Sequence, residues 1–174
     1  KFPFYWRLGE IDSLTAPADL YALDEYGASR QRTRVNAARL QGVDMPTATR
    51  FSFKGAGGDM VWGYALEPTG LAAGAKAPVA FLIHGGPQWT FGNAFSYRWN
   101  PAVFAGAGYG AVLIDFHGSV GYGQDFTDSI NQDWGGKPLE DLKLGLAAAT
   151  RQFTWLEGER ACPLGGSYGG YMAN

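Results

Sequence analysis

The stretch Leu164-Gly165-Gly166-Ser167-Tyr168-Gly169-Gly170 carries the sharpest chemical signal in the chain. It holds Gly-x-Ser-x-Gly at Gly165, Ser167 and Gly169, between an apolar run that reads as a strand and a segment that reads as the start of a helix. A backbone that turns sharply at a serine lifts its hydroxyl clear of the sheet edge. Glycines two positions before and after are needed because side chains there would collide. The amide that follows, on Tyr168, is placed to face a substrate carbonyl, so the pattern is that of a nucleophile for acyl transfer with one oxyanion donor beside it. A second donor is needed. His84-Gly85-Gly86-Pro87 follows directly on the apolar run Val79–Ile83 and could supply it, with Gly86 the first choice and Gly85 the second. His84 itself reads as a structural histidine bonding that loop, because the base of such a site should follow the nucleophile in chain order.

Other residues of reactive type are less well placed. Gly118-Ser119-Val120-Gly121-Tyr122-Gly123 lacks both Gly-x-Gly-x-x-Gly opening a helix and a Lys after the last glycine, so it reads as a tight loop over the site and not as a phosphate cradle. Ser119 lacks the elbow spacing. Asp115 and Asp125 read as caps of turns and helices. Cys162 is the single cysteine and His84 and His117 are the two histidines, so neither a disulfide nor a His/Cys metal site is supplied.

The elements that must position these groups follow from hydropathy patterning. Val79–Ile83 is apolar throughout and Gly110–Phe116 is apolar but for Asp115, as strands buried on both faces are. Arg160–Leu164 reads as a third strand, with Pro163 an oddity inside it. Leu139–Phe153 reads as a helix whose Leu142, Leu146, Ala149 and Phe153 share one face. A further helix is expected over Tyr97–Ala107, with Pro101 in its first turn. Arg50–Lys54 and Met60–Glu67 read as a hairpin across Gly55-Ala56-Gly57-Gly58-Asp59. Apolar strands alternating with helices predict an α/β layer with a mostly parallel sheet and flanking helices. The first forty residues differ in texture. Phe4–Leu8, Asp19–Asp24 and a polar stretch near Gln31–Thr33 read as short strands joined by turns, one containing Pro17, as in a meander or a propeller blade.

Composition removes several function classes. Of 174 residues 46% are hydrophobic, enough for a core, and the net charge of −2 provides no basic field for nucleic acid. No apolar run approaches the roughly 20 residues of a membrane span. The 26 glycines follow no collagen period.

Taken in order, Phe81–Gln88, Gly118–Phe126, Asp133-Trp134-Gly135-Gly136 with Glu140-Asp141-Leu142, and Gly165–Met172 resemble four successive motifs of the prolyl oligopeptidase family of serine peptidases. Dipeptidyl peptidase V is the nearer subgroup and acylaminoacyl peptidase the next. Leu14–Asn36, with Pro17-Ala18-Asp19-Leu20-Tyr21, is similar to the last blade of that family's β-propeller. The resemblance implies that residues 1–45 form the C-terminal edge of a propeller and residues 46–174 the first part of an α/β-hydrolase domain. It implies Ser167 as nucleophile, Gly86 and Tyr168 as oxyanion donors, short peptides as substrates, no cofactor or metal, and neither nucleic acid nor membrane as partner. The family's acidic residue and histidine come later in the chain than Ser167, and neither Asp nor His occurs after it here. The chain is therefore expected to be a piece of a longer protein, needing the remainder for activity. His117 stands where the family commonly has Arg before Gly-Ser. An esterase or lipase on the same fold, and a hydrolase-like binding module without catalysis, are the rival readings. The resemblance leans toward a periplasmic or secreted location over a cytoplasmic one.

Overall fold

A computed structural model describes residues 7–174. The segment 4–6, expected to begin the first strand, lies outside the described residues. Contacts divide the chain into two units, residues 1–44 with 93–100, and residues 45–92 with 101–174.

The smaller unit is an antiparallel meander of β1 (Arg7–Ser13), β2 (Ala16–Leu23) and β3 (Ser29–Gln31), followed by one short helical turn, α1 (Ala37–Leu40). Pro17, expected in a turn, stands at the start of β2, beyond an irregularity in the β1–β2 ladder at Ile11/Ser13. Strand starts and bulges are where a residue without an N–H is tolerated. Asp24 folds the β2–β3 turn by accepting the amides of Tyr26 and Ala28, both at 2.9 Å. Asp19 accepts Thr33 Oγ1 at 2.7 Å, the Val35 amide at 3.0 Å and Gln31 Nε2 at 3.1 Å, which hold its carboxyl below the usual range. The segment 93–100 is tied to this unit by Asn93 Oδ1, which accepts the Leu14 amide at 3.1 Å, and by the Phe95 amide, which donates to Asp12 at 2.7 Å.

The larger unit is built on a five-stranded sheet in the order β4 (Ala48–Lys54), β5 (Met60–Leu66), β7 (Gly110–Asp115), β6 (Ala77–Ile83), β8 (Leu156–Gly165). It is mixed: β4–β5 and β5–β7 pair antiparallel, while β6–β7 and β6–β8 pair parallel. The expectation of a mostly parallel sheet is thus met on one side only. The short turn at 55–59 can join only antiparallel strands, and the hairpin then docks through β5 against β7. Every residue of β7 is buried, as is all of β6 except Pro78. Strand alternation puts Val112 and Ile114 on one face, in a cluster with Phe51, Phe53, Phe81, Leu142 and Ala149, and turns Ala111 and Leu113 to the other.

Helix α4 (Lys137–Gln152) covers the first of these faces. Its buried stripe is Pro138, Asp141, Leu142, Gly145, Ala148 and Ala149, with Leu146 and Phe153 packed at its margin. Near β7 lies α2, which spans only Pro101–Gly106 rather than the expected 97–107. Two local effects stop it. Ser96 Oγ accepts the amides of Arg98 and Trp99, at 3.2 and 2.8 Å, in competition with helix bonds. Asn100, preceding a proline, is disfavoured in the α region. Short helices α3 (Gln124–Asp128) and α5 (Tyr168–Ala173) complete the unit. Pro163 lies in β8, in register with Phe81, on an edge of the sheet as described, where proline is compatible with a strand. Among the described residues no helix is long and apolar enough to cross a membrane.

Candidate active site

Ser167 occupies the junction between β8 and α5 with φ 58° and ψ −126°. This is a sparsely populated backbone state for a non-glycine residue, of the kind stored at functional turns. Although the residue stands at the N-cap of α5, its hydroxyl makes no capping hydrogen bond, and the residue is exposed. The conformation keeps Oγ out of the service a helix-start serine usually performs.

The flanking glycines are required by close approach. A Cβ on Gly165 would collide with the backbone of Gly169, and one on Gly169 would collide with the Ile83 carbonyl and lie 3.1 Å from the His84 oxygen. Start of α5, end of β8 and end of β6 are therefore packed backbone to backbone. The same approach brings the loop after β6 to the elbow: a Cβ built on Gly85 would sit 3.5 Å from Ser167 Cβ and 3.9 Å from its Oγ. Gly86 is exposed and has φ +121°, which only glycine adopts without strain. Among the described residues, neither the Gly86 nor the Tyr168 amide donates to a protein acceptor. Tyr168 is otherwise firmly held. Its side chain is buried, its hydroxyl donates to the Trp134 carbonyl at 2.6 Å, and burial, with Tyr171 and Asp133 nearby, raises its pKa.

Both histidines are committed elsewhere. His84 is buried, with Nδ1 2.7 Å from the Gly85 oxygen and Nε2 2.9 Å from Ser119 Oγ, its ring stacked on Phe116 at 4.2 Å. A carbonyl only accepts, so Nδ1 carries the proton. Burial lowers the ring's pKa despite Gly85 and Asp115, so the ring is neutral and Nε2 accepts from the serine hydroxyl. His117 is buried too. Its Nδ1 donates to Asp141 at 2.6 Å and its Nε2 lies 3.2 Å from Asp59. Neither ring offers a free nitrogen to Ser167.

Asp115, read from sequence as a cap, is a buried anchor of two loops. It accepts Thr90 Oγ1 at 2.8 Å, the Phe91 amide at 2.9 Å and the Tyr122 hydroxyl at 2.6 Å. Burial and this carboxylate raise the Tyr122 pKa, so the tyrosine stays a donor. Asp125 lies in the first turn of α3, where a carboxylate complements the helix start. Sequence reasoning missed Asp141 as a structural centre. It is fully buried and accepts the Ala56 amide at 2.8 Å, the His117 amide at 2.7 Å and the His117 ring. The available signal was its spacing: a carboxylate three residues after Pro138 and four before Gly145 falls on the inward stripe of α4. Among the described residues no group of three or more His, Cys, Asp or Glu could hold a metal ion.

The profile of the prolyl oligopeptidase family matches residues 95–174. Dipeptidyl-peptidase 5 of Schizosaccharomyces pombe is 47% identical over 122 residues, covering 70% of this chain and 18% of that protein. A probable dipeptidyl-peptidase 5 of Emericella nidulans is 42% identical over 111 residues, covering 64% of this chain and 15% of its own length. The chain thus spans less than a fifth of these relatives. Among solved structures, an acylaminoacyl peptidase in complex with Z-Gly-Gly-Phe-chloromethyl ketone superimposes with a TM-score of 0.86 at 29% identity, over 99% of this chain and 28% of that one. Pyrococcus horikoshii acylaminoacyl peptidase gives 0.84 at 30% identity, over 95% and 26%. On this profile match and these likenesses in sequence and fold, the chain belongs to the prolyl oligopeptidase family.

Proposed function

We propose that this chain carries the nucleophile and oxyanion half of a serine peptidase acting on short peptides. The observation that carries the reading is Ser167 itself: positive φ, an uncapped exposed hydroxyl, and an unengaged amide on the next residue. In the proposed reaction Ser167 Oγ attacks the scissile carbonyl carbon as its proton passes to a histidine base. The carbonyl oxygen becomes an oxyanion held by the Tyr168 and Gly86 amides. The C–N bond then breaks, the base returns its proton to the leaving amine, and water hydrolyses the acyl-enzyme. The base and the carboxylate that orients it are supplied from outside these 174 residues, since both histidines present are engaged. Residues 1–45 form the edge of a propeller, and residues 46–174 the first part of the hydrolase domain. The support is the antiparallel meander of the smaller unit and the likeness to dipeptidyl-peptidase 5 and acylaminoacyl peptidases.

The test uses the full-length protein with a fluorophosphonate label, a dipeptide p-nitroanilide and a simple p-nitrophenyl ester. Wild type is expected to be labelled and to cleave the anilide, and Ser167→Ala to lose both. Cleavage of the ester alone would identify an esterase. No labelling of wild type would identify a non-catalytic module.

A further inference from the structure

We infer that Ser119 is a positioning residue for the oxyanion donor on Gly86, acting through the tautomer of His84; the inference rests on the reading of Ser167 as nucleophile. The Gly85–Gly86 peptide is trans, the cis bond being the next one, Gly86–Pro87. In a trans peptide the C=O and N–H point in opposite directions. The His84 Nδ1–H that holds the Gly85 oxygen at 2.7 Å thereby aims the Gly86 N–H away from the ring. That aim requires the proton of a neutral imidazole to reside on Nδ1.

Two groups compete over where the proton goes. Asp115 Oδ1 lies 3.9 Å from Nε2 and, as a carboxylate, favours a proton on that nitrogen. With the proton there, Nδ1 would turn a lone pair toward the Gly85 oxygen and the clamp would be lost. Ser119 Oγ, 2.9 Å from the same Nε2, donates into its lone pair and so adds to the Gly85 carbonyl's hold on the Nδ1–H tautomer against Asp115. The residue is held in place by its backbone. Ser119 is fully buried, its amide donates to the Phe116 carbonyl at 2.9 Å, and its carbonyl accepts Thr127 Oγ1 at 3.1 Å. The next amide, on Val120, donates to Trp89 at 3.1 Å, within the loop that follows Gly86 and Pro87.

Ser119, His84 and Asp115 have the residue types of a catalytic triad, but their arrangement serves a different end. The carboxylate and the serine address the same ring nitrogen, whereas a triad needs them on opposite ones. Burial also denies Ser119 a substrate. The set orients one peptide group.

The experiment compares Ser119→Ala, Ser119→Cys and Ser119→Thr with wild type in the full-length protein. It reads kcat and KM on a dipeptide p-nitroanilide and the ring ¹⁵N resonances of labelled histidine. Losing an oxyanion donor outright costs on the order of 10²–10³ in kcat, and misaiming one is expected to cost at least about tenfold, with KM within about twofold. In Ser119→Ala the His84 signals should move from the Nδ1–H pattern toward Nε2–H. Ser119→Thr, which keeps the hydroxyl, should restore both readouts. Should Ser119→Ala fail to fold, Ser119→Cys, of similar size and a weak donor, is expected to show a mixed tautomer and a reduced kcat. Wild-type kcat in the folded Ala or Cys variant would overturn the inference, as would a lowered kcat with an unchanged tautomer. Ser167→Ala separates the two readings: if it is inactive while Ser119→Ala keeps wild-type kcat, only the Ser119 inference fails. If Ser167→Ala remains active, the nucleophile reading fails with it.

Discussion

At the scale of single residues, the elbow depends on atoms that are missing. Gly169 does not have an unusual φ; it is glycine because the Ile83 carbonyl and the His84 oxygen occupy the space a methyl group would need. All the obstructing atoms are backbone, which cannot rotate away as a side chain can. Gly169→Ala is therefore expected to push α5 off the end of β6, at a cost of about 1–3 kcal/mol as overpacking usually has. Because it moves Ser167 relative to the loop of Gly85, it should also lower the proposed peptidase activity by roughly 10²-fold, as a displacement of about 1 Å does. Chemical denaturation and kcat/KM on the full-length protein measure the two effects. A Gly169→Ala protein with wild-type activity would show that the elbow tolerates that displacement.

At the scale of elements, the larger unit is fastened by two buried carboxylates with different duties. Asp115, at the end of β7, ties the loop 87–92 to the loop 116–123. Asp141, on α4, ties that helix to the hairpin turn at Ala56 and to His117 just past β7. Its three acceptor contacts are inside the protein, so truncation leaves the Ala56 amide, the His117 amide and the His117 ring without an acceptor. Removing one partner of such a buried charged set typically costs about 3–5 kcal/mol. Asp141→Ala is expected to lose that much in urea unfolding, and Asp141→Asn, which keeps one acceptor oxygen, clearly less. Equal losses in the two would mean that the charge and not the acceptor geometry holds the turn.

At the scale of the whole molecule, the 174 residues hold the proposed nucleophile Ser167 and the proposed oxyanion donors, but neither histidine is available as a base. His84 and His117 are buried and each has both ring nitrogens engaged. The isolated chain is expected to leave a dipeptide p-nitroanilide uncleaved and to label poorly with a fluorophosphonate, since oxyanion contacts without a complete triad leave only a residual roughly 10³–10⁴ over water. Steady-state assay of the purified 174-residue chain beside the full-length protein measures this. Efficient turnover dependent on Ser167 would mean that one of the two histidines leaves its buried partners to act as base.

The elbow and the buried strands were legible from the residues because each is a local demand on the backbone. Gly-x-Ser-x-Gly after an apolar run states a steric requirement within five positions, and the short apolar runs at 79–83 and 110–114, flanked by turn residues, have the pattern of strands covered on both faces. The spacing of the α4 stripe was equally local. What tertiary structure alone decided concerns partners distant in sequence. That β7 lies between β5 and β6, giving a mixed sheet, depends on where the hairpin docks, which no single segment specifies. Hydrogen bonds across 35 residues from His84 to Ser119, and across 24 from His117 to Asp141, turn histidines of reactive type into fasteners. A side chain's type limits what it can donate or accept, but the fold chooses which group stands opposite, and that choice assigned both histidines to structure and left Ser167 free.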